Sequence, residues 1–166
     1  MKNKITVLNC LLALVLLLHF FGCVKKGREE VLAFLNAHIK NWMLEENALL
    51  NKYNAAVTAR DFTNNRVYEL IQKDINPALI RLRKKANDNK PVHHPDLKNI
   101  VEEFINKLDF LMEGFSKIEE GMLKQNTALI NEGRQSLQKY SNVNKSFLRS
   151  FQQLLEDYKI ELKQRG

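Results

Sequence analysis

The sequence predicts an all-α protein, an antiparallel up-down-up-down four-helix bundle that follows an N-terminal signal peptide. Three observations carry this expectation. Apolar residues recur at helical spacing almost throughout the chain. Glycine and proline are scarce, six and three in 166 residues, which leaves few turns to distribute. No stretch shows the strict alternation of a half-buried strand. Short joints between long amphipathic helices favour antiparallel neighbours, and each helix is expected to be on the order of 35–50 Å long at 1.5 Å per residue.

The first helix is expected over residues 29–59, with Val31, Leu35, His38, Trp42, Leu49, Tyr53 and Ala56 on a common stripe. The second, over 64–85, carries Val67, Leu70, Ile71, Ile75, Leu79 and Leu82. Pro77 should kink it after Asn76, because proline lacks the helical N–H and crowds the preceding turn. The third helix holds the most regular seam. Val101, Phe104, Leu108, Leu111, Phe115, Ile118 and Met122 alternate spacings of three and four, and Asp96 after Pro95 places a carboxylate in the first turn, where it suits the macrodipole. The fourth carries Ile130, Gly133, Leu137, Tyr140, Asn144, Phe147, Phe151, Leu154 and Tyr158, with Asn126 or Thr127 as its N-cap. Residues 60–63, 87–94 and 121–126 are the expected joints.

The chain opens differently. Lys2 and Lys4 precede a largely apolar, uncharged run over 5–21, then Gly22, Cys23 and the basic residues Lys25, Lys26 and Arg28. This is the plan of a bacterial export signal, and Gly22–Cys23 resembles the lipobox of bacterial lipoproteins. The resemblance implies cleavage between Gly22 and Cys23 and a diacylglyceryl group on the Cys23 sulfur, with fatty chains such as palmitate. The family usually has Leu three residues before the cysteine and a small residue two before it; this chain has Phe20 and Phe21. The alternative is an uncleaved anchor, although the run rises only about 26 Å at 1.5 Å per residue, short of a roughly 30 Å hydrocarbon core. The expected organisation is a signal peptide over 1–22, an acylated N-terminus and basic tether over 23–28, and a bundle domain over 29–166.

That start bounds much of the chemistry. Lys2 and Lys4 leave with the signal, so the formal charge of +7 becomes +5. A basic protein on a lipid anchor has the headgroup surface as its nearest anionic partner, and Lys25, Lys26 and Arg28 stand where each adds roughly 1 kcal/mol on an anionic leaflet; ordinary solubility charge is the alternative. Cys10 leaves with the signal and Cys23 is taken by lipid, so the mature domain has neither a free thiol nor a disulfide. Export makes nucleic acid an unsuitable partner. Val24 stands where an aspartate commonly signals inner-membrane retention, which leans towards the outer membrane in a Gram-negative cell.

Further along, Glu30-Val-Leu-Ala-Phe-Leu-Asn36, Asn51-Lys-Tyr53, Asp61-Phe-Thr63, Ile75-Asn-Pro77, Leu123-Lys-Gln-Asn126 and Leu129-Ile-Asn-Glu132 resemble a group of uncharacterised bacterial lipoproteins. That group has no activity to carry over. Its histidine early in the third helix has no counterpart here, since His93-His94 precede that helix.

Catalytic and metal signatures are missing from the sequence. No Glu-x-x-His marks a di-iron bundle, and no Cys-x-x-Cys-His a covalent haem. Neither Gly-x-Ser-x-Gly nor a phosphate-cradling glycine loop occurs. Met43, Met112 and Met122 read as core gap-fillers, with a non-covalent haem through them or His38 left open. His38 reads as a core-edge histidine, and His93-His94 as a loop pair short of a full ligand set. Glu45-Glu46, Glu102-Glu103 and Glu119-Glu120 read as decoration of solvated faces, since adjacent helical residues diverge by about 100°. Arg81, Arg83, Lys84, Lys85 and Lys90 either answer a helix C-terminus or form a patch for anionic lipid or glycan. Asn144 and Gly133 suggest a register-setting polar residue and a close helix approach, with the lining of a small cavity as the alternative.

No residue is therefore expected to be catalytic, and no metal or cofactor is expected beyond the lipid on Cys23. The function this supports is a membrane-anchored, non-catalytic binding or adaptor module facing the periplasm or exterior, with the bilayer and another envelope protein or anionic surface as partners. Two alternatives stand beside it: a ligand- or cofactor-holding bundle with His38, Trp42 and Tyr140 near an internal pocket, and an immunity or exclusion lipoprotein.

Overall fold

The computed structural model describes residues 27–161. Gly22, Cys23, Lys25 and Lys26, and with them the expected signal and anchor, lie outside the described residues. Those described form four long helical stretches and no strand. Helix α1 comprises Arg28–Phe34, a π-helical turn over Leu35–Ile39 and Lys40–Thr58. Helix α2 comprises Asn64–Leu70, a second π turn over Ile71–Ile75 and Asn76–Asp88. Helices α3 (Pro95–Leu123) and α4 (Thr127–Asp157) are uninterrupted. None of the described helices is long and apolar enough to cross a membrane.

The ends are set by local chemistry. Thr63 caps α2 by accepting from the Arg66 N–H, and Asn126 caps α4 by accepting from Ala128 and Leu129. The α3 C-terminus closes in a Schellman turn: Asn126 N–H reaches the Gly121 carbonyl, Gln125 N–H the Met122 carbonyl, and Gln125 takes the left-handed conformation at φ 52°. The α4 C-terminus repeats this with Lys159 at φ 51°, Ile160 N–H bonding to the Leu155 carbonyl. The third joint thus shortens to residues 124–126.

Both π turns shift the expected register. Lys40 N–H bonds to Leu35 O and Asn76 N–H to Ile71 O, five residues back rather than four. In α1 this turns Ile39 into the core and leaves His38 half-buried at its edge, so the stripe expected through His38 runs through Ile39 instead. In α2 the interruption expected after Asn76 falls in the turn before it. Pro77 leaves the Lys73 carbonyl without its helical donor, and the widened turn takes up that defect.

The core draws Val31, Leu35, Ile39 and Trp42 from α1, the Val67-to-Leu82 seam from α2, the Val101-to-Ile118 seam from α3, and Tyr140, Phe147 and Leu154 from α4. Along α1 and α2, Lys85 meets Glu45 and Lys52 meets Asp74, so residue numbers rise along one helix as they fall along the other. Lys90 with Glu102 and Arg83 with Asp109 do the same for α2 and α3. Phe104 with Phe147 and Lys107 with Asn144 do it for α3 and α4. The closest approach is between α3 and α4. A Cβ added to Gly133 would stand 2.7 Å from the Gly114 carbonyl oxygen, and one on Gly121 would stand 2.8 Å from the Ile130 nitrogen. Only glycine lets these backbones meet so closely.

Candidate functional site

Among the described residues two places of different character stand out, one sealed in the core and one open at an end. The sealed one is built on α3. Lys107 lies three residues after Phe104 and four before Leu111, so the helix turns it inward, and it is only 1% exposed. Its ammonium donates to Glu46 Oε2 at 2.6 Å and to Asn144 Oδ1 at 3.0 Å. It also lies 4.7 Å from the centroid of the Phe104 ring and 4.3 Å from that of Phe147, which is cation–π distance. Tyr140 donates its hydroxyl to the other carboxylate oxygen, Glu46 Oε1, at 2.9 Å. Trp42 packs on Phe104 beside the group, ring centroids 5.6 Å apart.

Burial sets the electrostatics of this cluster. Desolvation pulls the Lys107 ammonium below the usual lysine range, and the Glu46 charge pulls the other way. Desolvation also raises the Tyr140 phenol, and the neighbouring Glu46 charge adds to that rise. Both carboxylate oxygens accept, and the ammonium has two oxygens and two ring faces, so the group is satisfied from within. Glu46, read from the sequence as half of a solvated pair, is 2% exposed, while its neighbour Glu45 stays on the surface with Lys85. Sequence reasoning singled out Asn144 and Tyr140 but missed the Lys107–Glu46 pair at the centre.

The other candidates resolve individually. His38 lies between Phe34 and Trp42, with centroids 4.8 and 5.6 Å away. Trp42 and Tyr140 both border the sealed cluster, where Tyr140 is engaged by Glu46. His94 caps α3, its Nδ1 accepting from the Leu97 N–H, while Tyr158 donates to Asp96 at 2.7 Å and its hydroxyl lies 3.4 Å from His94 Nε2. His93 is exposed. The described residues contain no group of three or more His, Cys, Asp or Glu side chains placed to hold a metal ion. In the basic cluster, Arg83, Lys84, Lys85 and Lys90 each face a carboxylate, from Asp109, Asp88, Glu45 and Glu102. That pairing removes most of the free positive field the anionic-patch reading needs. Arg28 is half-buried and donates to the Lys159 carbonyl at 3.4 Å.

The open site lies at the end of the molecule that holds the 59–63 and 124–126 joints. A cleft of about 690 Å³ is lined by Tyr53, Val67, Ile118, Met122 and Ile130, by the polar Asn64, Gln125 and Thr127, and by the exposed Phe62 and Arg134. That volume falls within the range of small-molecule pockets, about 300–1,000 Å³. The Tyr53 ring rests edge-on against Phe115 with centroids 4.8 Å apart. Burial raises its phenol, and the Arg134 guanidinium opposes the rise. Arg134 makes no ion pair among the described residues, in contrast to Lys117 on α3, which is held by Glu113 and Glu132. Phe62 and Leu123 stand exposed near the same joints, at 45% and 67%. Sequence reasoning put Tyr53, Ile118, Met122 and Ile130 on core stripes, but the cleft needs all four helices and both joints. No protein-family model matches this chain, and neither a curated protein nor a solved structure shows significant similarity to it.

Proposed function

We propose that this chain is a lipid-anchored, non-catalytic binding module of the bacterial cell envelope, an up-down-up-down four-helix bundle tethered by Cys23 at one end and presenting the other. The reading is supported by the uncharged apolar run that ends at Gly22–Cys23, and the proposed orientation by position. Helix α1 starts at Arg28, five residues after the candidate acylation site, while the open cleft lies at the far end of α1, beside the joint that comes after Thr58. A tether at Cys23 therefore leaves that end facing away from the bilayer. Two or three acyl chains make such an attachment stable where one is marginal.

The test is Cys23→Ser in cells fed a tagged palmitate. The expected outcome is loss of the label and release of the protein from the membrane fraction. A chain that keeps both label and membrane association overturns the lipoprotein reading.

A further inference from the structure

We propose that the open cleft is a binding site for an anionic amphiphile, an apolar acyl body on an anionic head, with the head on Arg134 and the body against Tyr53, Met122 and Ile130. The inference deepens the reading of the chain as a binding module and rests on it. Three observations converge. The cleft is large enough, about 690 Å³, and Tyr53, Val57, Met122 and Ile130 give it an apolar side beside the polar Asn64, Gln125 and Thr127. Arg134 is an exposed cation lining that cleft with no carboxylate partner among the described residues; Arg60, Lys139 and Lys145 are likewise exposed without an ion pair there, but they are not among the cleft's lining residues. A guanidinium presents donors in a planar fork that matches a carboxylate or phosphate. An apolar surface beside a free cation selects a ligand of the same split character: a neutral lipid leaves the cation unanswered, and a cationic amphiphile is repelled.

The head can be a carboxylate, as in a free fatty acid, or a phosphate, as in a lipid breakdown product; the chemistry at Arg134 is shared, and the titrants separate them. The full chain in nonionic detergent is titrated calorimetrically with octanoate, octyl phosphate and octylammonium, each against a protein-free micelle blank. Saturable one-to-one binding is expected for at least one of the two anions, and none for octylammonium. The tighter anion identifies the source. Arg134→Gln should weaken that binding tenfold or more, and Arg134→Lys should keep it within a few-fold. Equal responses to octanoate and octylammonium, or an affinity unchanged by Arg134→Gln, overturn the assignment. A dimer in analytical ultracentrifugation that octanoate leaves intact also overturns it, by making a second copy of the chain the occupant. Failure of both anions to bind rejects the ligand alone, because the Cys23→Ser fractionation tests the anchor without reference to the cleft.

Discussion

Lys107 and Arg134 are both cations on the paired helices α3 and α4, yet they meet opposite surroundings. Lys107 is enclosed by a carboxylate, an amide and two aromatic faces and is almost fully buried. Arg134 stands at the border of a cleft beside a half-buried phenol, and no carboxylate of the described residues reaches it. The first charge is used up by the fold and the second is left over. A charge whose partners are all internal contributes to which structure forms; one left unanswered beside an apolar surface is available to something that arrives from outside.

The contrast can be broken most severely at the sealed site. Lys107→Ala strands the Glu46 charge in the core, and a loss of about 3–5 kcal/mol is expected in urea unfolding. Combining Lys107→Met with Glu46→Leu and Tyr140→Phe should recover most of it, because the charges go together with the hydroxyl that Glu46 accepts from. A single Lys107→Ala variant as stable as the parent would mean that the pair is not buried. Tyr140→Phe is the next in size. It leaves Glu46 Oε1 without its donor, for about 1–3 kcal/mol at neutral pH.

That variant should also change the alkaline limb of the stability curve. An unfolded phenol ionises near about 10, whereas the folded Tyr140 phenol is raised, chiefly by burial. Its contribution is fully present below about pH 10 and is lost as pH rises above it, because only the unfolded state then releases the proton. Lys107 acts in the opposite sense: its ammonium is depressed, so the unfolded chain binds more protons on the approach to the free-lysine value of about 10.4, and stability rises there. The wild-type curve sums these two with the raised Tyr53 phenol, so the checking measurement is its difference from Tyr140→Phe, which should remove Tyr140's part of the fall above about pH 10. The smallest effect belongs to the open site. Arg134→Ala should leave unfolding within about 0.5 kcal/mol, as expected for a surface side chain with no structural partner. A larger loss would give Arg134 a structural duty and erase the contrast.

The helices were legible in the sequence wherever spacing was regular. The α3 seam is buried from Val101 to Ile118, and Asn126, one of two possible caps, does cap α4. Gly133 does sit at the closest approach of two helices, and Asn144 faces the core interior by way of Lys107. The misses have identifiable physical causes. Val31, Leu35 and Ile39, like Val67, Ile71, Ile75 and Leu79, recur every four residues, a period wider than an α-helix supports, which marks the π turns. The α1 stripe had a gap of seven between Trp42 and Leu49, where an inward Glu46 fits at helical spacing. Lys107 lies three residues after Phe104 and four before Leu111, on the seam itself. A lysine and a glutamate each look exposed when considered alone; only together do they become buriable, and a single sequence does not say which helices meet. The cleft depended on how both joints close against all four helices, which is tertiary information.

The π turns have a consequence for how the sequence can change. Each holds one residue more than an α turn over the same stretch of axis, so it behaves as a one-residue insertion already absorbed by the helix. In Leu35–Ile39 the surplus leaves Trp42 and Glu46 correctly aimed at α3 and α4. In an unbroken α-helix, one added residue swings everything downstream by about 100° and takes the inward face out of the core. Here the slack is confined to five residues, and losing one of them would straighten the turn without re-aiming the rest of the helix. The length of these two helices is therefore less tightly fixed than the phase of their faces.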